Sequence, residues 1–203
     1  MMYHDRYAAP RKAVDQLVQE TLLGRLVTVG PEGALRIGLF PFIIGADSFD
    51  LHLNKNDEQL ADLRSNDRCL FEVDEVLAVV PSHWEHPENA ANGTAYYRAA
   101  VFECTAKMSA DPEKLAEHLR DIMERYQPEG GYRPIAAPDP MYEGMIGMLE
   151  KVSLEIGKRR AKFKLAQNRA TAVRTRIIGE LRSRGRTTDD RAADRLEWTL
   201  DRD

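Results

Sequence analysis

Lys162 and Lys164 alternate with Phe163 and Leu165. In a strand, that spacing sets both ammonium groups on one side. Gln167, Asn168 and Arg169 follow, where a helix is expected to begin. Paired lysines beside a helix start suit an oxyanion, while the competing role is protection of a strand edge. Lys55 stands in a similar place, just ahead of a helix expected over 57–65. There Asp57 and Glu58 oppose an anion, and both also serve well as N-terminal helix residues. Trp84 and Tyr97 can wall a planar ring or pack in the core. His83 and His86 form H-x-x-H, but a metal needs a third ligand and only Glu85 and Glu88 are near, so no metal site is expected. Ser82 beside His83 is not a catalytic pair on adjacency alone. No G-x-S-x-G, G-x-G-x-x-G or P-loop pattern occurs.

Those residues need elements to hold them. Val14, Leu17, Val18 and Leu22 recur at helical spacing, predicting a helix over 11–23 after Pro10. Apolar runs at 25–29, 35–44 and 49–53, separated by Gly30–Gly33 and Gly45–Ser48, predict an antiparallel meander. Two strands are expected at 69–73 and 76–80, broken by Asp74-Glu75. Residues 81–94 read as a long polar loop, of a length that often carries function. A strand over 95–108 follows. Asp111 and Pro112 then open a helix with Leu115, Leu119, Ile122, Met123 and Tyr126 on its apolar stripe. Residues 127–142 hold four prolines and read as an irregular excursion before a short helix at 142–149. Residues 152–156 and 161–165 read as two strands or one bent strand, and 168–184 and 189–200 as helices. Strands and helices that segregate along the chain give an α+β fold, with an antiparallel barrel closed or partly closed.

The chain has 203 residues, 43% hydrophobic and 31% charged, which supplies a core and excludes wholesale disorder. One domain is expected over 1–203, with 168–203 as a C-terminal helical extension. No apolar run approaches the roughly twenty residues of a membrane span, and the first residues show no apolar signal segment. Cys69 and Cys104 sit in strand-like runs and read as buried thiols of a cytoplasmic protein. Net charge is -4, yet residues 158–186 carry eleven basic residues against Glu180 alone. Such asymmetry points to an anionic partner (a phosphate cofactor or nucleic acid) or to an acidic face of the same fold.

Residues 162–169 read KFKLAQNR, and this resembles the KFKLSQNR signature of the PaiB-like family, the FMN-binding negative transcriptional regulators. Ala166 stands where that family has Ser. Leu39-Phe40-Pro41-Phe42 looks like its H-L-P-F segment, and His52 to Gln59 like its H-L-A-R-A-N-P-Q segment, with Lys55 for Arg and Asp57 for Asn. Pro81-Ser82-His83-Trp84 is similar to P-S-W-Y, and Gly93 to Tyr97 keeps Thr94 and Tyr97 of P-T-W-N-Y. The resemblance implies an antiparallel split β-barrel with flanking helices, of the pyridoxamine-phosphate-oxidase type. It implies a homodimer with FMN between subunits. It implies cofactor contacts from His52, Lys55, Gln59, Ser82, Trp84, Tyr97, Lys162, Lys164, Gln167, Asn168 and Arg169. A regulatory role would bring DNA to the basic segment 158–186, although nothing there reads bases. The alternatives are a flavin-dependent oxidoreductase on the same fold and a divergent paralogue that has lost flavin.

Overall fold

A computed structural model describes residues 4–200. In chain order the elements are α1 (Arg11–Glu20), β1 (Leu23–Val29), β2 (Leu35–Pro41), β3 (Ile43–Ile44), β4 (Ser48–Asn54) and α2 (Glu58–Ser65). Then come β5 (Arg68–Val80), β6 (Thr94–Ser109), α3 (Pro112–Tyr126), α4 (Pro140–Met148), β7 (Leu149–Lys164), α5 (Thr171–Arg184) and α6 (Asp189–Leu200). The strands make one sheet in the order β2-β1-β5-β6-β7-β4-β3. The fold is α+β and antiparallel, as expected. The chain divides into two compact units. One holds the residues up to Glu20, Asp74–Ala100 and those from Arg160 onward; the other holds Thr21–Val73 and Val101–Arg159.

The second unit is built on phenylalanine. Phe42, Phe49, Phe71 and Phe102 are buried, with Phe49 centred 4.7 Å from Phe71 and 4.8 Å from Phe102. Such offset and edge contacts favour aromatic pairs beyond their buried area. The β1–β2 hairpin pairs Val27 with Ile37 and Val29 with Leu35. Its alternation turns Leu26 and Thr28 inward and leaves Leu35, Ile37 and Leu39 outward. Leu115, Ala116 and Leu119 of α3 pack with Ile135 and with Ile146 of α4.

The first unit is organised around a buried guanidinium. Arg98 of β6 reaches Glu20 at 2.6 Å and Glu75 at 2.5 Å. Arg191 and Arg195 of α6 add to Glu20, at 3.3 and 2.7 Å. Ile177, Ile178 and Leu181 of α5 and Ala192, Ala193 and Leu196 of α6 are buried.

Several expectations are revised. The first helix stops at Glu20, and Leu22 is 69% exposed rather than inward. Asp74-Glu75 does not break a strand; β5 is continuous because Glu75 turns to Arg98 instead of into a turn. There is no simple meander. The β1–β2 and β3–β4 hairpins lie at opposite ends of the strand order, and β4 pairs with β7, Leu51 opposite Val152. The run 35–44 is interrupted at Phe42, whose ring is fully buried. The last long helix begins at Thr171, since Ala166 takes a left-handed turn (φ 63°) after β7.

Candidate functional site

The outward face of the second unit holds a cavity of about 530 Å³. That volume lies in the range of small-molecule sites. Val27 and Val29 of β1, Leu35 of β2 and Leu70 of β5 form its apolar wall. The β1–β5 register sets Val27 opposite Leu70. Period-two alternation then brings Arg68 to the same outward side. Lys158 of β7 lines the cavity too, with Asn66, Glu103 and Thr105. No side-chain partner occupies Arg68 or Lys158 among the described residues, so both cations are available to a ligand. Cys69 and Cys104 also contribute. Both are free and buried, and burial pushes both thiols up to about 12, so they are thiols and not thiolates near neutrality.

The expected seat at the start of α2 is differently employed. Asp57 caps the helix by accepting the Gln59 N–H at 2.8 Å. The buried Gln59 amide donates to the Leu26 carbonyl at 3.0 Å and to Thr28 Oγ1 at 3.3 Å. Its oxygen lies where a Cβ on Gly38 would be, 2.3 Å away, so β2 needs glycine there. The Thr28 hydroxyl donates to Asp62 at 2.8 Å, and Arg36 donates to Asp62 at 2.7 Å and to Glu58 at 3.1 Å. The Lys55 ammonium donates to the Gly147 carbonyl at 2.8 Å. His52 turns to His118 of α3, ring nitrogens 3.1 Å apart. An open cavity of about 500 Å³ lies beside Arg36, Ile37, Asp57, Glu58 and Gln59. A dianion there would face two carboxylates and an arginine already paired twice. Beside Arg68 and Lys158 a ligand would face one carboxylate, that of Glu103.

The remaining expected residues lie in the first unit. Lys164 donates to Thr94 Oγ1, and the Lys162 ammonium lies 5.5 Å from the Tyr7 ring centre and 5.9 Å from that of Tyr97. Arg169 pairs with Glu85 at 2.9 Å and reaches Asn92 at 3.4 Å. Gln167 is spent on its own turn: its oxygen accepts the Leu165 N–H and its amide donates to the Phe163 carbonyl. Asn168 is exposed. Ser82 opens a single 3-10 turn that ends at Trp84, which is buried under the Arg184 guanidinium, 4.8 Å from its ring centre. Tyr97 is half-buried.

Sequence reasoning missed Arg68 altogether and counted Lys158 only within a charge run. The alternation Arg68, Leu70 against Cys69, Phe71 was the one local sign of an outward face.

A family described as "Putative FMN-binding domain" matches residues 1–158. No curated protein matches the chain. Among solved structures, the flavocytochrome Anf3 from Azotobacter vinelandii is similar at TM-score 0.66 and 17% identity, covering 81% of this chain and 72% of that one. The FAD and heme binding protein from Mycobacterium smegmatis is similar at TM-score 0.64 and 15% identity, covering 78% and 73%. HutZ, the heme storage protein from Vibrio cholerae, gives TM-score 0.53 at 14% identity, covering 76% and 96%. These likenesses show the split-barrel fold. The family match includes every residue that lines the Arg68–Lys158 cavity and stops short of Lys162. The chain belongs to the FMN-binding domain family on an α+β split β-barrel, and FMN is its cofactor.

Proposed function

We propose that FMN lies on the outward face of β1, β2 and β5, with its ring against Val27, Val29, Leu35 and Leu70 and its phosphate between Arg68 and Lys158. The carrying observation is that two unpaired cations meet an apolar strand face in one cavity, inside the family-matched residues. Bound there, FMN supplies two-electron and one-electron redox chemistry. The valines and leucines exclude water from one ring face, and Asn66 and Thr105 offer polar contacts at its edge. Arg68 and Lys158 fix its orientation by charge-assisted bonds.

A second copy of the chain completes the site in this reading. Leu35, Ile37 and Leu39 of β2 are 75%, 65% and 56% exposed in a row beside the cavity. Such a row calls for a cover, and a homodimer covers both the row and the outer face of the ring.

The PaiB-like regulatory role draws support from the KFKLAQNR motif and from the weaker matches at 39–42, 52–59, 81–84 and 93–97. Several cations of the basic segment are already engaged within their own unit. Arg174 donates to the Thr199 carbonyl at 2.9 Å, Arg182 pairs with Glu197 at 2.8 Å, and Arg184 pairs with Asp189 at 2.5 Å. Those pairs leave fewer of the segment's cations open to DNA phosphates.

Titration with FMN and with riboflavin tests the reading. Quenching of flavin fluorescence is expected for both, with FMN bound at least about tenfold more tightly through its phosphate. Equal affinity for the two would remove the phosphate seat from the account. Reduced-nicotinamide turnover by the FMN-loaded protein supports the oxidoreductase role, and DNA affinity that falls steeply with salt supports the regulatory one.

A further inference from the structure

The first unit holds a cluster of cations that the flavin site does not use. Lys162 and Lys164 emerge from β7 on one side, and after the tight turn at Ala166 the Arg169 side chain reaches Asn92, two residues from the Thr94 hydroxyl that Lys164 holds. Gln167 makes that turn rigid, since its side chain binds the backbone of Leu165 and Phe163. The Lys164 ammonium is held below its usual value by burial first, then by the charges of Lys162 and Arg169. Arg176 of α5 approaches the same place, donating to the Glu85 carbonyl at 3.1 Å. Among the described residues, the carboxylate paired with these cations is that of Glu85, on Arg169. Lys162 has aromatic rings and Lys164 a hydroxyl, neither of which carries charge. Like charges so disposed repel, and the arrangement costs stability until an anion enters.

We propose that Lys162, Lys164 and Arg169 form a second anion site, separate from the flavin cavity, that takes the phosphate group of a small phosphorylated molecule. Lys162, Lys164 and Arg169 against Glu85 leave two positive charges, and Arg176 adds a third nearby, a balance that favours a phosphate monoester dianion. The Thr94 hydroxyl and the Asn92 amide stand at the same cluster and are able to bind phosphate oxygens. Tyr7 and Tyr97 beside Lys162 give a flat apolar surface for whatever planar group the phosphate carries.

The test uses the full chain, with inorganic phosphate as the probe and potassium chloride at equal ionic strength as the control. Phosphorus NMR line broadening and the thermal midpoint are both read. Phosphate is expected to broaden and to raise the midpoint, saturably, where chloride does neither. Lys164→Gln and Lys162→Gln, each with an unchanged circular dichroism spectrum, are expected to weaken phosphate binding at least about tenfold. The titration is made on the FMN-loaded protein, so that the seat between Arg68 and Lys158 is already filled, and Lys107→Gln, an exposed charge outside both sites, is expected to leave phosphate binding unchanged. The proposal is overturned if phosphate acts no differently from chloride, or if Lys162→Gln and Lys164→Gln bind it normally. Lys107→Gln weakening phosphate binding as much would overturn it as well, since the loss would then follow from net charge alone. Competition adds a separate readout: phosphate that displaces FMN point for point would mean the cluster holds the flavin's own phosphate, and the second site would be lost. FMN binding that fails while phosphate still binds through Lys162 and Lys164 would sink the flavin seat and leave this site standing.

Discussion

His52 Nδ1 and His118 Nε2 lie 3.1 Å apart, with His118 fully buried on α3. The pair is held neutral. Burial, then His52 and Lys151, push His118 down to about 3, and burial lowers His52. Asp50 pulls the other way, but it is paired with Lys151 at 3.0 Å. The unfolded chain therefore takes up protons near pH 6.5 that the folded chain refuses. The stabilisation is complete above that value and is lost as pH falls toward about 3. Urea midpoints from pH 7.5 to 4.5 should fall, by up to about 1.4 kcal/mol per pH unit for each refused proton. His118→Gln should flatten that slope; an unchanged slope would mean that the pair is not what titrates.

Arg98→Met removes the centre of the Glu20–Glu75 network and leaves two carboxylates against α6. A loss of about 3–5 kcal/mol is expected, because a buried pair is broken from one side. Burial alone pushes Glu20 up, but bonds from Arg98 and Gln16 and the charges of Arg195 and Arg98 outweigh it and hold Glu20 at about 2. That stabilisation is present above about pH 4.5 and disappears as pH drops through about 2. Chemical denaturation of the variant at pH 7 and pH 3 measures both effects, and the difference between variant and parent should shrink at the lower pH.

Asp62→Asn strips charge from the acceptor shared by Thr28 and Arg36. The expected cost is about 2–3 kcal/mol, and α2 should loosen first. Hydrogen exchange across residues 58–65 reads this directly; uniform protection would argue that α2 does not depend on Asp62.

The caps were plain in the sequence. Asp57 and Asp111 each precede a helix, and each accepts the N–H two residues on. Periods of two and of 3.6 residues also placed most strands and helices. The pairing of Glu75 with Arg98 was not legible, because the partners are 23 residues apart and Asp74-Glu75 imitates a turn. The cavity was hidden for the same reason. Its lining comes from five strands, and neither Arg68 nor Lys158 has a local signature. The motif at 162–169 was conspicuous, but spacing could not say that Gln167 would be consumed by its own turn.

Ala166 offers a local check. Its φ of 63° is unfavourable for a residue with a Cβ. Ala166→Gly relieves that strain and should raise stability by about 0.5 kcal/mol after the entropy of glycine in the unfolded chain is counted. A loss of stability on thermal denaturation would contradict a strained turn.

The most direct measurement is the FMN affinity of Arg68→Gln/Lys158→Gln beside that of Lys55→Gln, by fluorescence quenching at fixed ionic strength. The double variant should lose about a hundredfold or more while Lys55→Gln stays close to the parent chain. Normal affinity in the double variant, with loss in Lys55→Gln, would move the phosphate to the start of α2 and contradict the account.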